Sequence, residues 1–345
     1  NNQLTEETPT PDSYRAWLDE CLEKTDYPHG WRRLATCPAC GSDRIEPSFD
    51  KWGCVYDACQ TCDLVFLNPI PNDGLFEPIY NSGYARAYRE FVEIPALRAH
   101  PDDTAPFSIP KEELEKIIEA VVPGGTVDSW VDVGGSLGWL AAHVRDEHGT
   151  SNVAIREIDA FAADFAMTEF GVPNLTGPVS REWDVVSCVM TLEHVPEPRE
   201  FCEMVAGHVR PGGTVVFVVP HFSKMCRLVA KASNANAAPP FHLNLFSAAS
   251  LTRMLERCLP EADVDTIELG APAFDPVDVV DHSGFFDIRM PTAEAPSAET
   301  FMTDDYEPGR QAAVNLLCEI RPRLSEWLID VDGRATLAAI CRFPS

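Results

Sequence analysis

At 345 residues and 45% hydrophobic content, the chain has room for one sizeable core plus one or two small additions. No apolar run approaches the length of a membrane span. A net charge of −27 disfavours non-specific binding to nucleic acid or to an anionic membrane, since both repel an acidic surface.

With 21 Arg against 6 Lys, the acidity has two readings: a salt-rich cytoplasm, or simply an acidic surface. Asn1 to Asp12 is polar and acidic with no leader pattern, so a cytoplasmic protein is expected. Ser13 to Thr25 carries Tyr14, Trp17, Leu18, Cys21 and Leu22 at helical spacing, which predicts a packing helix. Twelve cysteines follow in two styles: eight scattered among apolar neighbours, and four in a tight pattern. Cys37-Pro-Ala-Cys40 and Cys59-Gln-Thr-Cys62 are two Cys-x-x-Cys pairs separated by 18 residues, the spacing of a four-thiolate structural zinc site. Gly41 suits the positive φ of the first knuckle. Trp52 to Ala58 is expected as the strand between the knuckles, with Cys54 a buried strand residue rather than a ligand. The segment is acidic, which argues against a nucleic-acid ribbon.

Leu64-Val-Phe-Leu-Asn-Pro-Ile-Pro71 comes next, then Tyr80, Tyr84 and Tyr88, four apart and so on one face if helical. Lys111 to Val122 has the apolar spacing of a helix. An apolar strand, Trp130 to Val133, then ends in Gly134, Gly135, Ser136, Leu137 and Gly138, with a helix-forming run from Trp139. A strand turning tightly into a helix brings backbone N–H groups close to a ligand. Asp132 lies at the strand end. The dinucleotide fingerprint Gly-x-Gly-x-x-Gly is not met, because Ser136 and Trp139 stand where glycines would be needed, so a nicotinamide oxidoreductase is excluded. Asn152 to Ile155 reads as the next strand, and Glu157, 19 residues after Gly138, can accept both hydroxyls of a ribose. Phe161 to Phe170 is a second helix.

Trp183 to Met190 reads as a strand buried on both faces. Thr191-Leu192-Glu193-His194 leaves its C-terminal end, where His194 is the best single base candidate; shaping the loop is its alternative role. Pro211-Gly212-Gly213 reads as a turn and Thr214 to Val219 as a further strand. Lys231 to Pro240 has the composition of a lid, and His242 follows it. Past residue 260, Thr292 to Glu299 reads as a loop, Gln311 to Ile329 as a helix bent by Pro322, and Ala335 to Phe343 as a final antiparallel edge strand. Core packing is the expectation for His282, Phe285, Phe286 and Tyr306. Alternating strands and helices predict an α/β protein, a Rossmann-like parallel sheet with helices on both faces.

Val131-Asp-Val-Gly-Gly-Ser-Leu-Gly138 resembles the first motif of the class I S-adenosylmethionine-dependent methyltransferases. Trp183 to Pro198 and Arg210 to Pro220 are similar to their fourth-strand and fifth-strand motifs. Ser136 departs from the pattern at the middle glycine. A zinc ribbon running into Leu-Asn-Pro-x-Pro and tyrosines resembles the subgroup serving sugar and natural-product pathways, which includes sugar C-methyltransferases. Phe241-His242-Leu-Asn-Leu-Phe-Ser247 matches that subgroup except that Phe241 stands where an acid is usual.

This resemblance implies S-adenosylmethionine as cofactor, held by Asp132, Gly134, Gly135, Ser136, Gly138, Glu157, Leu192 and Tyr80. It implies Tyr84, His194 and His242 for acid–base work or orientation, and structural zinc on Cys37, Cys40, Cys59 and Cys62. The acceptor would be a hydroxyl or carbon of a nucleotide sugar, glycan precursor or natural product, with no membrane partner. A cofactor-binding scaffold without turnover and a nucleic-acid methyltransferase are the alternatives. The expected organisation is a helical segment (1–35), a zinc ribbon (36–72), a covering segment (73–110), the methyltransferase core (111–260) and an accessory region with an edge strand (261–345).

Overall fold

The computed structural model describes residues 11–72, 74–75, 79, 82–99, 111–123, 126–273, 325 and 327–345. In chain order these form α1 (Pro11–Lys24), β1 (Ile45–Lys51), β2 (Cys54–Cys59), β3 (Val65–Leu67), α2 (Gly83–Tyr88) and α3 (Ile94–Ala99). They continue with α4 (Lys111–Val121), β4 (Ser129–Val133), α5 (Trp139–His148), β5 (Asn152–Arg156), α6 (Ala160–Phe165) and β6 (Trp183–Val189). Then come α7 (Pro198–Ala206), β7 (Val209–Pro220), β8 (Asn244–Leu245), α8 (Ala248–Cys258), β9 (Asp263–Pro272) and β10 (Arg334–Arg342).

A six-stranded sheet in the order β5-β4-β6-β7-β10-β9 carries the fold. β5, β4, β6 and β7 are parallel, and β10 runs antiparallel between β7 and β9. The α/β sheet with covered faces follows the expectation, and its side-chain alternation shows why. Trp130, Val185, Val216, Val218, Ala338 and Ile340 enter one core, against Leu114, Ile117 and Ile118 of α4 and Leu140 and Val144 of α5. Val131, Val133, Val186, Phe217, Val219, Leu337 and Ala339 enter the other, against Cys202 and Val205 of α7 and Leu251, Met254 and Leu255 of α8.

The smaller sheet, β1-β2-β3-β8, is antiparallel throughout. It borrows β8 from beyond β7 in the chain, so the cysteine segment and the core are interleaved rather than strung together. Leu64 and Phe66 join the core containing α7 and α8, while Val65 and Leu67 join a third core with Leu18 of α1, Tyr56, Phe222 and Leu245.

Four local expectations change. Trp52 is not in a strand: it and Gly53 turn the β1–β2 hairpin with φ of 55° and 84°, so the strand starts at Cys54. Pro211 to Gly213 do not interrupt β7; a register shift beside β6 absorbs them. The second helix relaxes into a π-turn at Ala166–Phe170. The last strand is internal, because β9, which the sequence pattern did not reveal, pairs outside it and takes the edge. The expectations for 274–324 lie outside the described residues, including His282, Phe285, Phe286, Tyr306, the Thr292–Glu299 loop and most of the Gln311–Ile329 helix. Among the described residues no helix is long and apolar enough to cross a membrane.

Because Phe66 is fully buried in a core shared by both sheets, Phe66→Ala should cost about 3–5 kcal/mol. Chemical denaturation should show one transition at lower midpoint; two separated transitions would mean that the cysteine segment folds by itself.

Candidate functional site

The turn after β4 is close-packed. Gly134 has φ of +76°, and a Cβ there would lie 2.3 Å from the Thr191 hydroxyl. A Cβ on Gly135 would meet Ile155 at 2.5 Å, and one on Gly138 (φ +78°) would meet Ala166 at 2.6 Å. These contacts hold the turn against the end of β6 and against β5, so no side chain is tolerated there. Ser136 adopts the left-handed φ of 44° that a glycine would take more cheaply, and its hydroxyl is used: it accepts from Arg89.

Glu157 stands beside this turn. Its Oε2 accepts from the Ser136 N–H at 2.8 Å, and its Oε1 accepts from Ile158 and Asp159 N–H at 2.8 Å each. Asn174 fixes the Glu157 backbone from the other side, at 2.9 and 3.0 Å. Asp159 caps α6 and pairs with Arg89 Nε at 2.7 Å. Arg89 also lies 3.4 Å from Glu93, so the segment between α2 and α3 is pinned to the glycine turn by one guanidinium. Arg89 and Asp159 were not singled out from the sequence. Asp159 had a readable signal, an N-cap before a helix; Arg89 had none, because its partner is 47 residues away.

Asp132 is buried within the sheet. Ser187 Oγ donates to its Oδ1 at 2.6 Å and in turn accepts from Trp130 Nε1 at 2.8 Å. Burial pushes its carboxyl up to about 7, partly offset by the Ser187 bond.

At the end of β6, Met190 turns the chain with φ of 50°, and a 3-10 turn spans Leu192–His194. The Leu192 side chain is fully buried in the core shared with the cysteine segment. His194 and His242, 48 positions apart in sequence, meet edge to face with ring centroids 4.7 Å apart. Each donates Nδ1–H to a carbonyl, His194 to Phe241 at 3.0 Å and His242 to Asn236 at 2.8 Å, which leaves the His242 Nε2 as a base, while the His194 ring also meets the Met190 backbone. Burial lowers His194 to about 3, with His242 adding to the effect, and lowers His242 to about 4.

The sequence missed the third member, Glu193. It is buried, one donor atom from each of Glu193, His194 and His242 lies within 4.8 Å of the others, and its Oε2 has no hydrogen-bond partner among the described residues. Burial pushes its carboxyl up to about 8, so it is protonated at neutral pH. Tyr84 lies in an aromatic wall instead, stacked on Trp17 at 5.2 Å; Trp17 stacks on Phe241 at 5.2 Å. Tyr56 Oη donates to the His242 carbonyl at 2.9 Å. Tyr80 lies outside the described residues.

Cys37, Cys40, Cys59 and Cys62 converge, all buried and with their sulfurs within 4.8 Å of one another. Sγ–Sγ separations of 3.6 Å (Cys37–Cys62) and 3.5 Å (Cys40–Cys59) are far too long for disulfides. They are close to the ~3.8 Å that tetrahedral bonds of ~2.3 Å to a zinc ion require. Gly41 at φ 72° and Asp63 at φ 67° make the two knuckle turns. Arg257 and Arg253 of α8 donate to the carbonyls of Cys40 and Thr61, docking each knuckle on the large domain. Cys54 lies apart, in the core with Tyr56.

Residues 107–258 match a family described as Methyltransferase domain. Solved structures of similar fold include a SAM-dependent methyltransferase from Archaeoglobus fulgidus, at 14% identity, 67% of this chain, 92% of that one and TM-score 0.42. Another is phosphoethanolamine N-methyltransferase 2 of Haemonchus contortus in complex with S-adenosyl-L-methionine, at 10% identity, 81% and 63% coverage and TM-score 0.46. A third is a Haloferax volcanii methyltransferase in complex with a methyltransferase activator, at 16% identity, 78% and 98% coverage and TM-score 0.42. No curated protein matched the sequence. The described core has a Rossmann-like methyltransferase fold.

Glu157→Ala removes the acceptor of the Ser136 N–H in the glycine turn and of the Ile158 and Asp159 N–H groups after β5. It should weaken S-adenosylhomocysteine binding at least tenfold, about 1.4 kcal/mol, by calorimetry; unchanged affinity would place the cofactor elsewhere.

Proposed function

We propose that this chain, from the methyltransferase domain of residues 107–258, methylates an oxygen or carbon of a nucleotide sugar, glycan precursor or natural product. The observation that carries this reading is the buried Glu193–His194–His242 group beside the glycine turn. Thr191 packs on Gly134, and Glu193 and His194 follow within three residues. The residues present suit the cofactor: a turn with glycine at 134, 135 and 138 for close approach, and the Glu157 carboxylate for the ribose. When bound, the cofactor supplies a methyl group made electrophilic by its sulfonium.

The chain's own contribution is orientation and one proton transfer. The His242 Nε2 accepts the proton that leaves the acceptor atom as the methyl group arrives, with His194 packed edge to face on its ring. Both rings stay neutral well below pH 6, so they are available as bases throughout the physiological range. Protonated Glu193 donates a hydrogen bond to an acceptor oxygen. On a ketone this favours the enolate that methylation at carbon requires. Phe241 stands where the resembling subgroup has an acid, and Glu193 brings a carboxyl to the same imidazoles from the end of β6. The aromatic wall of Trp17, Tyr84 and Phe241 supports a small organic acceptor, and the net charge of −27 weighs against a nucleic acid. We assign a structural zinc to the four cysteines: four thiolates fill a tetrahedral site and leave no position for water.

Assayed with S-adenosylmethionine against nucleotide sugars, His242→Gln should lower kcat roughly 10²-fold or more without changing cofactor affinity. Turnover at wild-type rate would exclude His242 from the chemistry. The wild-type rate should stay level from about pH 5 to 7.5 and fall above about 8, as Glu193 ionises and ceases to donate. Glu193→Gln keeps a donor at all pH and should abolish that alkaline fall; an alkaline limb that survives would assign it to another group. Elemental analysis should find zinc in the purified protein, of which one equivalent per chain is lost in Cys59→Ser together with a lower melting temperature. Full stability without metal would contradict the assignment.

A further inference from the structure

Away from this site, α4 and α5 bring together Glu115, His143 and His148. His143 Nε2 lies 2.7 Å from Glu115 Oε1, and His148 Nε2 lies 3.0 Å from Glu115 Oε2. One donor atom of each falls within 4.8 Å of the other two. We propose that these three residues bind a first-row divalent transition metal ion such as Zn²⁺, Co²⁺ or Ni²⁺, at a site separate from the four cysteines.

The simpler account is a carboxylate shared by two histidines through hydrogen bonds. It serves His143 well, but not His148. The His148 Nε2 is buried and close to Glu115, yet makes no hydrogen bond, because the carboxylate lies out of line with it. A buried imidazole nitrogen near a carboxylate oxygen but misaligned with it suits two donors facing a third atom between them. Bonds of ~2.0–2.1 Å to a tetrahedral ion place such donors ~3.3 Å apart, a few tenths of an ångström beyond the separations here.

The surroundings favour a fixed ligand set. The His143 ring is 5% exposed and stacked at 8° on Trp139, with centroids 5.1 Å apart. His148 sits at the end of α5, where Gly149 in the left-handed region turns the chain away. Two imidazoles and a carboxylate favour borderline transition metals over Mg²⁺ or Ca²⁺, which take oxygen ligands. Three protein ligands leave positions for water, and the partly exposed Glu115 and His148 give the ion a path in. Bound there, the ion cross-links α4 to α5, the helix that starts at the glycine turn, and stabilises the folded chain by an amount that grows with the logarithm of its free concentration.

The test uses tag-free full-length protein with its cysteine-bound metal quantified beforehand, titrated with Ni²⁺ by calorimetry and with Co²⁺ by absorption. One further equivalent is expected, with cobalt bands typical of nitrogen and oxygen ligands and no thiolate charge-transfer band. Glu115→Gln and His148→Gln, both partly exposed and so tolerated by the fold, should each weaken Ni²⁺ binding at least tenfold, while His242→Gln leaves it unchanged. No additional equivalent in the wild type would overturn the proposal. So would affinity that is insensitive to Glu115→Gln and His148→Gln, or lost only in His242→Gln, which would place the ion at the other histidine pair.

Discussion

Residue 243 is bonded on both sides by backbone alone. Its N–H donates to the Glu193 carbonyl and its carbonyl accepts from the Leu67 N–H, each at 2.8 Å. Asn244 adds a side-chain bond to the Val195 carbonyl at 2.7 Å and, as part of β8, pairs with Phe66 of β3. One short extended stretch thereby ties the cysteine segment to the loop after β6. Because His242 directly precedes it and its partner is Glu193, next to His194, that pairing brings Glu193, His194 and His242 together. The cysteine segment is thus connected to His242 through the β3–β8 register.

Burial then sets the character of the groups brought together. Glu193, His194 and His242 are all kept in their uncharged forms near neutrality by desolvation, with no counter-ion required. A neutral acid beside two neutral bases can give and take protons without holding a fixed charge in a low-dielectric space. Lys51 shows the same effect at the hairpin tip: it is lowered to about 8 by burial, lies over the Trp52 ring at 4.7 Å and donates to the Asn234 carbonyl at 2.9 Å. The residues after β7 are in this way fastened to the cysteine segment.

Arginine does the long-range joining. Arg89 links the covering segment to Ser136, Glu93 and Asp159, and Arg253 and Arg257 hold the two knuckles on α8. Its planar guanidinium presents five donors in a fixed fork spread over three nitrogens, where a lysine offers three at a single nitrogen. The excess of Arg over Lys in an acidic chain is used here for architecture.

The sequence alone determined what local chemistry can dictate. Glycines at 134, 135 and 138 announce a backbone with no room for Cβ, the carboxylate of Glu157 follows at ribose spacing, apolar runs mark strands buried on both faces, and paired cysteines announce knuckles. Each signal sits within about 25 residues, so periodicity and spacing suffice to read it. The tertiary structure alone decided what depends on register and burial. Strand β9 has an alternating, half-exposed pattern too weak to stand out, and only its pairing moves β10 from the edge to the interior. Glu193 reads as one more residue of a turn until burial strips its solvent and β8 sets His242 opposite. Ser136 reads as a departure from a glycine pattern until Arg89 arrives at its hydroxyl. Distant pairings leave no period in a sequence, and desolvation is a property of the packed chain.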